Sequence, residues 1–218
     1  MNHLNKIYQR LFKTFGPQGW WPVKSSDSES RILEVCLGAI LTQNTNWKNV
    51  EKALANLRKN KLFSLKKLDK LPSKKLEKLI RSSGYYRQKA KKIKIFIAHV
   101  INLGGFKKFF ARKNLREELL SIYGIGPETA DSIILYAAKK PVFVVDLYTK
   151  RFLQRFGLSS KQLNYSEAQE LFHSYLPRDE KLFKEYHALL VELSKKHCTK
   201  KNPSCKSCPL FDSCKKHL

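Results

Sequence analysis

Four cysteines share a short stretch near the C-terminus, and they constrain the fold more than any other feature of the chain. They follow the spacing C-x6-C-x2-C-x5-C, at Cys198, Cys205, Cys208 and Cys214. The only other cysteine is Cys36. A loop this short and polar cannot build a hydrophobic core of its own. Four thiolates can surround a compact inorganic group, so we expect such a group to hold the loop together.

Two inorganic groups suit four thiolates: a single zinc ion and an iron–sulfur cluster. Zinc ribbons usually carry two C-x2-C pairs, whereas this chain has one pair flanked by longer spacers. That asymmetry favours a [4Fe-4S] cluster, because each thiolate then reaches its own iron. Zinc stays the alternative. Disulfides are disfavoured, because no apolar signal segment opens the chain.

The charge balance predicts a nucleic-acid partner. The chain carries 43 Lys and Arg residues against 18 Asp and Glu residues, a formal net charge of +25. Such an excess repels itself unless a polyanion lies nearby, and it suits binding to a phosphate backbone. A lysine-rich solvated surface would explain part of the lysine count but not the shortage of acids. No apolar run approaches the ~18 residues of a membrane span, so we expect an intracellular, cytoplasmic protein associated with the nucleoid.

Apolar residues recur at helical spacing over most of the chain, so the sequence predicts an all-α fold. A capping box of Ser166 and Gln169 is expected to open one helix. The β-like run at residues 142–145 is too short for a sheet and is expected to be a buried extended connection. Cys36 lies in an apolar run and is expected to be a small buried hydrophobe. The other helices are expected at residues 31–43, 46–59, 73–83, 88–103, 114–123, 127–138, 146–156 and 179–196.

A glycine pair and an aspartate form a second constellation. Gly124 and Gly126 lie on either side of one residue between two predicted helices, and Pro127 begins the second helix. Such a turn exposes backbone N–H groups beside a helix N-terminus, so it can grip a phosphate without reading base sequence. Further along, Asp146 follows four apolar residues at an N-cap position, where the helix dipole keeps a carboxylate ionised.

The hairpin, the Asp146 segment and the four-cysteine loop together resemble the helix-hairpin-helix, Gly/Pro-Asp family of DNA glycosylases, and within it the iron–sulfur branch of endonuclease III. The resemblance covers about residues 30–214. It implies two helical lobes with a DNA cleft between them. Residues 25–138 would form a six-helix barrel with the hairpin, and residues 1–24 with 139–218 a lobe that carries the cluster. The implied partner is double-stranded DNA with a damaged base, bound by a monomer.

The resemblance also implies roles for single residues. Asp146 matches the catalytic carboxylate of the family. Gln43, in the run A-I-L-T-Q-N-T, matches the glutamine that fills the space left by a flipped nucleotide. Tyr85 matches a second DNA-inserting position, where a ring can unstack neighbouring bases. The implied phosphate grip consists of Gly124, Gly126 and Thr129.

One position departs from endonuclease III. Glu128, in the run G-P-E-T-A, stands where that enzyme carries the lysine that attacks the sugar. A carboxylate cannot form a Schiff base, so we expect hydrolysis of the N-glycosidic bond with AP lyase activity weak or absent. By resemblance, Asp146 stabilises the oxocarbenium-like sugar and orients or deprotonates a water.

Glu128 and the segment G-W-W-P at residues 19–22 most resemble the 3-methyladenine DNA glycosylase III type, which implies an alkylated purine as the excised base. Such bases carry positive charge and suit an aromatic pocket. Trp21, Pro22 and Trp47 are the pocket residues implied, with Trp20 beside them, although Trp47 also fits core packing on its helix. Two other functions stay open: an endonuclease III-like pyrimidine glycosylase/AP lyase that uses another amine, and a non-catalytic iron–sulfur DNA-binding protein.

Overall fold

The computed structural model describes residues 3–159 and 163–216, and within them every regular element is helical. No strand occurs in these two ranges, which confirms the all-α prediction. A π-helical turn, Ile133–Ala137, continues the ninth helix, and short 3-10 turns cover Arg81–Ser83, Cys205–Ser207 and Phe211–Ser213. The α-helices are α1 (His3–Phe15), α2 (Ser28–Leu41), α3 (Trp47–Lys59), α4 (Leu65–Lys70), α5 (Ser73–Leu79), α6 (Tyr86–Asn102), α7 (Phe106–Phe110), α8 (Leu115–Ser121), α9 (Pro127–Ser132), α10 (Leu147–Phe156), α11 (Tyr165–Tyr175) and α12 (Glu180–Lys196).

Two features of the helix pattern differ from the sequence prediction. The short helices α4 and α7 went unpredicted, because five or six residues hold too few apolar repeats to show a period. The capping box of α11 was assigned to the wrong pair. Its N-cap is Asn164, whose side chain accepts from the Glu167 N–H (2.9 Å) while the Glu167 carboxylate accepts from the Asn164 N–H (2.9 Å). Both N-x-x-E and S-x-x-Q fit the motif, and the earlier pair begins the helix.

The chain forms two compact units. The continuous unit is Val23–Lys139, and the split unit joins Met1–Pro22 to Lys140–Leu218. In the continuous unit, α2 is buried almost all round by α3, α6, α9 and the π-helical turn, and Cys36 lies in this core as expected. In the split unit, α1 and α10 pack against α12. None of the helices in the described part of the chain has the length and apolar character needed to cross a membrane.

An aromatic cluster forms the centre of the split unit. The Phe143 ring stacks on Phe172 with 3.7 Å between centroids, and Phe183 and Tyr186 meet it edge-on. The Tyr186 hydroxyl donates to the Leu4 carbonyl (2.9 Å), which ties α1 to α12. Edge-on aromatic pairs contribute about 0.5–1.5 kcal/mol each beyond the area they bury. Phe143, within the extended connection of residues 142–145, is thereby anchored in the core.

A buried lysine joins two loops of the continuous unit. Lys89 is 2% exposed, and its amine donates to the Leu41 carbonyl (2.9 Å) and the Ser83 carbonyl (2.6 Å). These carbonyls end α2 and the 3-10 turn, just before the loops that carry Gln43 and Tyr85. Burial, followed by the charge of Lys92, lowers the pKa of the Lys89 amine to about 8. One amine thus fixes the starts of both loops.

We expect Lys89→Met to destabilise the protein by about 1–3 kcal/mol at pH 7, because two buried carbonyls lose their donor. The amine titrates near pH 8 in the fold and near 10.5 when unfolded, so between these values the unfolded chain binds more protons. Stability contributed by Lys89 therefore rises with pH across this window. Urea unfolding of both proteins at pH 7 and pH 10 measures the two effects. The exposed Lys74→Met is the control; equal unfolding midpoints for wild type and Lys89→Met would contradict the expectation.

Candidate active site and cluster loop

The extended segment of residues 142–145 has no strand partner within residues 3–159 and 163–216, as the sequence predicted. Side chains of α11 bond its backbone instead. Gln169 Nε2 donates to the Phe143 carbonyl (2.7 Å), and the Phe143 N–H donates to His173 Nε2 (2.9 Å). Nε2 of His173 must be unprotonated to accept this hydrogen bond. Gln169, expected to cap a helix, therefore holds the segment that leads to Asp146.

A third side chain of α11, that of Tyr165, bonds the same extended segment. The Val145 N–H donates to the Tyr165 hydroxyl oxygen (3.4 Å). Tyr165, Gln169 and His173 are spaced by four residues, so they lie on one face of the helix. An amphipathic pattern alone would assign these positions to the core, and no sequence motif indicates that they bond a neighbouring backbone. Together they fix the chain up to the residue before Asp146.

Asp146 is the N-cap of α10, as its position in the sequence predicted. Its Oδ1 accepts from the Thr149 N–H at 2.7 Å. Its Oδ2 lies 3.4 Å from Nε2 of His187, a buried residue of α12. The Asp146 side chain keeps 14% exposure. Both carboxylate oxygens are thus held, and part of the group still reaches solvent.

Opposing influences set the charge of this carboxyl. Burial raises the pKa of Asp146, but the hydrogen bond and charge of His187 and the bonds from Thr149 outweigh burial and bring the pKa below its usual range. The group is therefore a carboxylate at neutral pH and a weak proton acceptor. A fixed anion of this kind can stabilise positive charge that develops beside it.

The tryptophan pair of residues 19–22 lies in the same unit. The Trp20 ring meets His187 edge-on at 5.8 Å and Trp21 at 6.0 Å, and Lys195 Nζ lies 5.6 Å from the Trp20 centroid. Trp21 and Pro22 are half-buried. Trp47, the third predicted pocket residue, is the half-buried first residue of α3 in the continuous unit. The structure therefore groups Trp20 and Trp21 with His187.

Gln43 is bonded at both ends of its carboxamide. Its Oε1 accepts from Lys92 Nζ (2.5 Å), and its Nε2 donates to the Gly124 carbonyl and Thr129 Oγ1, each at 3.0 Å. The structure thus brings three predicted residues together and adds Lys92, which the sequence did not single out. Nothing marks Lys92 among so many lysines, because its partner lies far away in the chain.

The hairpin turn depends on Gly124. Its φ of +79° lies in the left-handed region, and a Cβ there would meet the Lys92 stem at 2.5 Å. The Ile125 N–H donates to the Ile122 carbonyl (3.0 Å), and Gly126 is the N-cap of α9. Glu128 is exposed in the first turn of that helix. The hairpin expected from the Gly-x-Gly pattern is present, with Lys92 packed under it.

Tyr85 projects from the continuous unit. It is 66% exposed and has a φ of +44°, a left-handed conformation that is uncommon for a residue with a side chain. Gly84 before it also has a positive φ, +68°. This turn presents the ring at the N-terminus of α6 instead of burying it, which is compatible with insertion into a ligand.

The four predicted metal-ligating cysteines line one open pocket of about 350 Å³. Arg155 Nη1 lies 3.6 Å from Cys198 Sγ, and the Lys216 N–H donates to Cys214 Sγ (3.4 Å). Burial, and then the charges of the other cysteines, raise the pKa of Cys208. Thiolates that repel each other and accept hydrogen bonds fit a positively charged metal group. No set of three or more His, Cys, Asp or Glu side chains in the described ranges already has the geometry of a metal-ion site.

Comparison with known proteins places this geometry in a family. Residues 37–178 match the HhH-GPD superfamily of base excision DNA repair proteins. A putative DNA repair glycosylase of Methanocaldococcus jannaschii is 45% identical over 214 residues, 96% of this chain and 94% of that protein. Endonuclease III of Thermotoga maritima is 31% identical over 191 residues, 85% and 84% of the two chains.

A solved structure is similar over most of the chain. H. pylori 3-methyladenine DNA glycosylase bound to 1,N6-ethenoadenine has a TM-score of 0.76 and 31% identity, covering 88% of this chain and 97% of that one. The matched family span includes Gln43, Tyr85, the hairpin and Asp146. The chain therefore belongs to the helix-hairpin-helix Gly/Pro-Asp superfamily and is a DNA glycosylase of base excision repair.

Proposed function

We propose that the protein is a monofunctional DNA glycosylase that hydrolyses the N-glycosidic bond of a flipped, alkylated purine such as 3-methyladenine. The observation that carries the proposal is the Asp146 carboxylate, held on both oxygens at the start of α10 while its side chain stays 14% exposed. A fixed anion with an opening to solvent suits a reaction in which the sugar becomes positively charged.

Asp146 acts mainly through its charge. Its lowered pKa makes the carboxylate a weak base, so electrostatic stabilisation of the oxocarbenium-like sugar contributes more than proton removal from water. An attacking water would be oriented by the exposed edge of the carboxylate. An alkylated purine already carries positive charge and leaves without a strong general acid, which suits a site where a carboxylate of lowered pKa is the central group.

Monofunctional chemistry is supported by Glu128 in the first turn of α9. A carboxylate cannot attack the sugar as an amine does. Two nearby lysines of α6 are already bonded: Lys89 to two carbonyls and Lys92 to Gln43. Lys89 is also buried, so the lowered pKa of its amine does not make it available to a DNA sugar.

The base assignment rests on aromatic residues and on the H. pylori enzyme, whose structure holds 1,N6-ethenoadenine. In our proposal Trp21, Pro22 and Trp47 contact the flipped base, and an electron-rich ring favours a cationic purine. Gln43 and Tyr85 enter the duplex. The phosphate grip consists of Gly124, Gly126 and Thr129.

The cysteine loop would hold a [4Fe-4S] cluster through Cys198, Cys205, Cys208 and Cys214. The cluster, when bound, supplies structural cross-linking of an irregular loop. Arg151 and Arg155 on α10 tie the loop down, with Arg151 Nε donating to the Cys198 carbonyl at 2.8 Å and Arg155 Nη1 to the Thr199 carbonyl at 2.6 Å. The exposed lysines of the loop would contact phosphates of double-stranded DNA, with the protein acting as a monomer.

A second function is favoured by one observation. Endonuclease III of Thermotoga maritima is 31% identical over most of both chains, so a pyrimidine glycosylase with AP lyase activity is the competing assignment. It requires an amine other than one at position 128. Trapping experiments separate the two functions.

Asp146→Asn should lower the single-turnover rate of 3-methyladenine release from methylated DNA by about 10²–10³-fold, the usual effect of losing one preorganised electrostatic group. Asparagine keeps the N-cap bond, so folding and DNA affinity should be unchanged. Asp179→Asn is the matched control, because Asp179 caps α12 through a 2.7 Å bond to the Leu182 N–H and is exposed. Release by Asp146→Asn at the wild-type rate, or no release by the wild type, would refute the assignment.

Borohydride should trap no covalent adduct between the wild-type protein and DNA with an abasic site. Glu128→Lys restores an amine at the matching position, so we expect it to form an adduct. Glu117→Lys changes charge equally at an exposed site on α8 and should form none. Adduct bands are read on denaturing gels; an equally strong band for the wild type would favour the endonuclease III-like function.

Anaerobically purified protein should contain about four iron atoms and four sulfides per chain, the stoichiometry of the proposed cluster. Cys214→Ser should lower the iron content and the thermal midpoint, because the loop loses one cross-link. Cys36→Ser, in the core of the other unit, should keep full iron content. Elemental analysis and sulfide determination test this, and one zinc per chain without sulfide would assign the loop to zinc.

A further inference from the structure

His187 is the buried side chain that faces the Asp146 carboxylate. It lies on α12 with a side chain 5% exposed, and its Nε2 is 3.4 Å from Oδ2 of Asp146. The other oxygen is held by the Thr149 N–H at 2.7 Å. Two contacts on different oxygens restrict rotation of the carboxylate about its Cβ–Cγ bond. One contact comes from the residue's own helix and the other from α12, so helix packing sets the orientation of the charge.

We propose that His187 is a positioning residue for the catalytic carboxylate, and that the Trp20 ring, covered by Lys195, holds His187 in place. The proposal rests on the proposed function of Asp146. It gives Trp20 a different task from the base contact proposed for Trp21. Trp20 would then influence the rate of bond cleavage and leave the affinity for the base unchanged.

The Trp20 contacts support this division. Its ring stands edge-on to the imidazole of His187, at 5.8 Å and 74°, and edge-on to Trp21 at 6.0 Å and 67°. Lys195 Nζ lies 5.6 Å from the Trp20 centroid, within the range of a cation–π contact. One ring therefore connects the exposed surface of α12 to a buried imidazole.

Electrostatics also favour the contact between His187 and the Asp146 carboxylate. A carboxylate that is mostly removed from water is destabilised unless a charge or donor faces it. Burial raises the pKa of Asp146, and His187 and Thr149 bring it below the usual value. Without His187, the carboxyl should hold its proton to higher pH, and the fraction of active anion should fall at acid pH first.

Other titratable and charged groups lie on the elements packed in the same unit. On α11, His173 and Tyr165 bond the backbone before Asp146. On α12, Glu185 accepts from the Gln18 N–H (2.7 Å) and Lys195 covers Trp20. His187 itself places Nε2 3.4 Å from Oδ2 of the Asp146 carboxylate. A variant at His187 therefore isolates that contact.

The first test measures the carboxyl directly and needs no substrate. Carbon-13 NMR of aspartate-labelled protein, with Asp146→Asn used to assign the signal, gives the titration midpoint of Asp146. We expect His187→Leu to raise this midpoint and His187→Gln, which keeps a donor, to raise it less. His99→Leu is the matched control, because His99 faces Glu118 at 2.7 Å in the other unit. A midpoint that His187→Leu leaves unchanged would overturn the proposal.

The second test follows single-turnover base release as a function of pH. His187→Leu should lower the maximal rate by about tenfold to a hundredfold, because misplacement of a catalytic group by about 1 Å has effects of this size. Its acid limb should move to higher pH, while the Kd for abasic-site DNA stays constant. His187→Gln should restore part of the rate, which loss of folding would not allow.

Trp20→Phe keeps the proposal testable if His187→Leu folds poorly. It should lower the rate and shift the acid limb in the same direction, less than His187→Leu does, with an unchanged Kd. A lower affinity for lesion DNA at an unchanged rate would instead place Trp20 in the base pocket and overturn its role here. If the wild type releases no base but the Asp146 midpoint still depends on His187, the proposed substrate fails and the His187–Asp146 contact stands.

Discussion

A buried extended segment must find hydrogen-bond partners for its backbone, and this requirement organises the split unit. A sheet would supply partners, but residues 142–145 have none among the described residues. Each buried N–H or carbonyl left unbonded costs about 1–3 kcal/mol. Gln169 and His173 bond both polar groups of Phe143, and its ring is fixed by the stack on Phe172. A side-chain row on one helix thus replaces a neighbouring strand.

The consequence of this arrangement is a carboxylate with a defined position. Asp146 ends the fixed segment and begins α10, so its backbone is determined from both sides. Further along the same helix, Arg151 and Arg155 bond the cysteine loop. From Asp146 to Arg155 the helix rises roughly 14 Å. One helix therefore connects the Asp146 carboxylate to the loop that would hold the cluster, and loss of order in the loop would reach the carboxylate through α10.

Sequence patterns revealed the parts of the site that depend on local rules. Asp146 could be identified as an N-cap because apolar residues precede it and a helical pattern follows, and the Gly124 turn because a positive φ favours glycine. His187 and Lys89 could not be found in this way. Each is a single polar residue on an otherwise apolar helix face, and its partner is remote in the chain. Gln169 could not be assigned correctly for the same reason. Its spacing from Ser166 fitted a capping box, but its side chain bonds the distant Phe143 carbonyl.

The net charge of +25 does not act through DNA binding alone. The Lys89 amine bonds the carbonyl that ends α2, and Lys94 bonds the Leu68 and Asp69 carbonyls (2.9 and 2.5 Å) near the end of α4. Neither helix ends in a glycine cap, and the lysine amines add donors for carbonyls at these ends, although the Leu68 carbonyl also accepts from the Leu71 N–H (3.3 Å). Lys92 is likewise bonded to Gln43. Such amines are already bonded within the fold. The salt dependence of DNA affinity should therefore reflect the exposed lysines, and it should be weaker than the total positive charge of the chain implies.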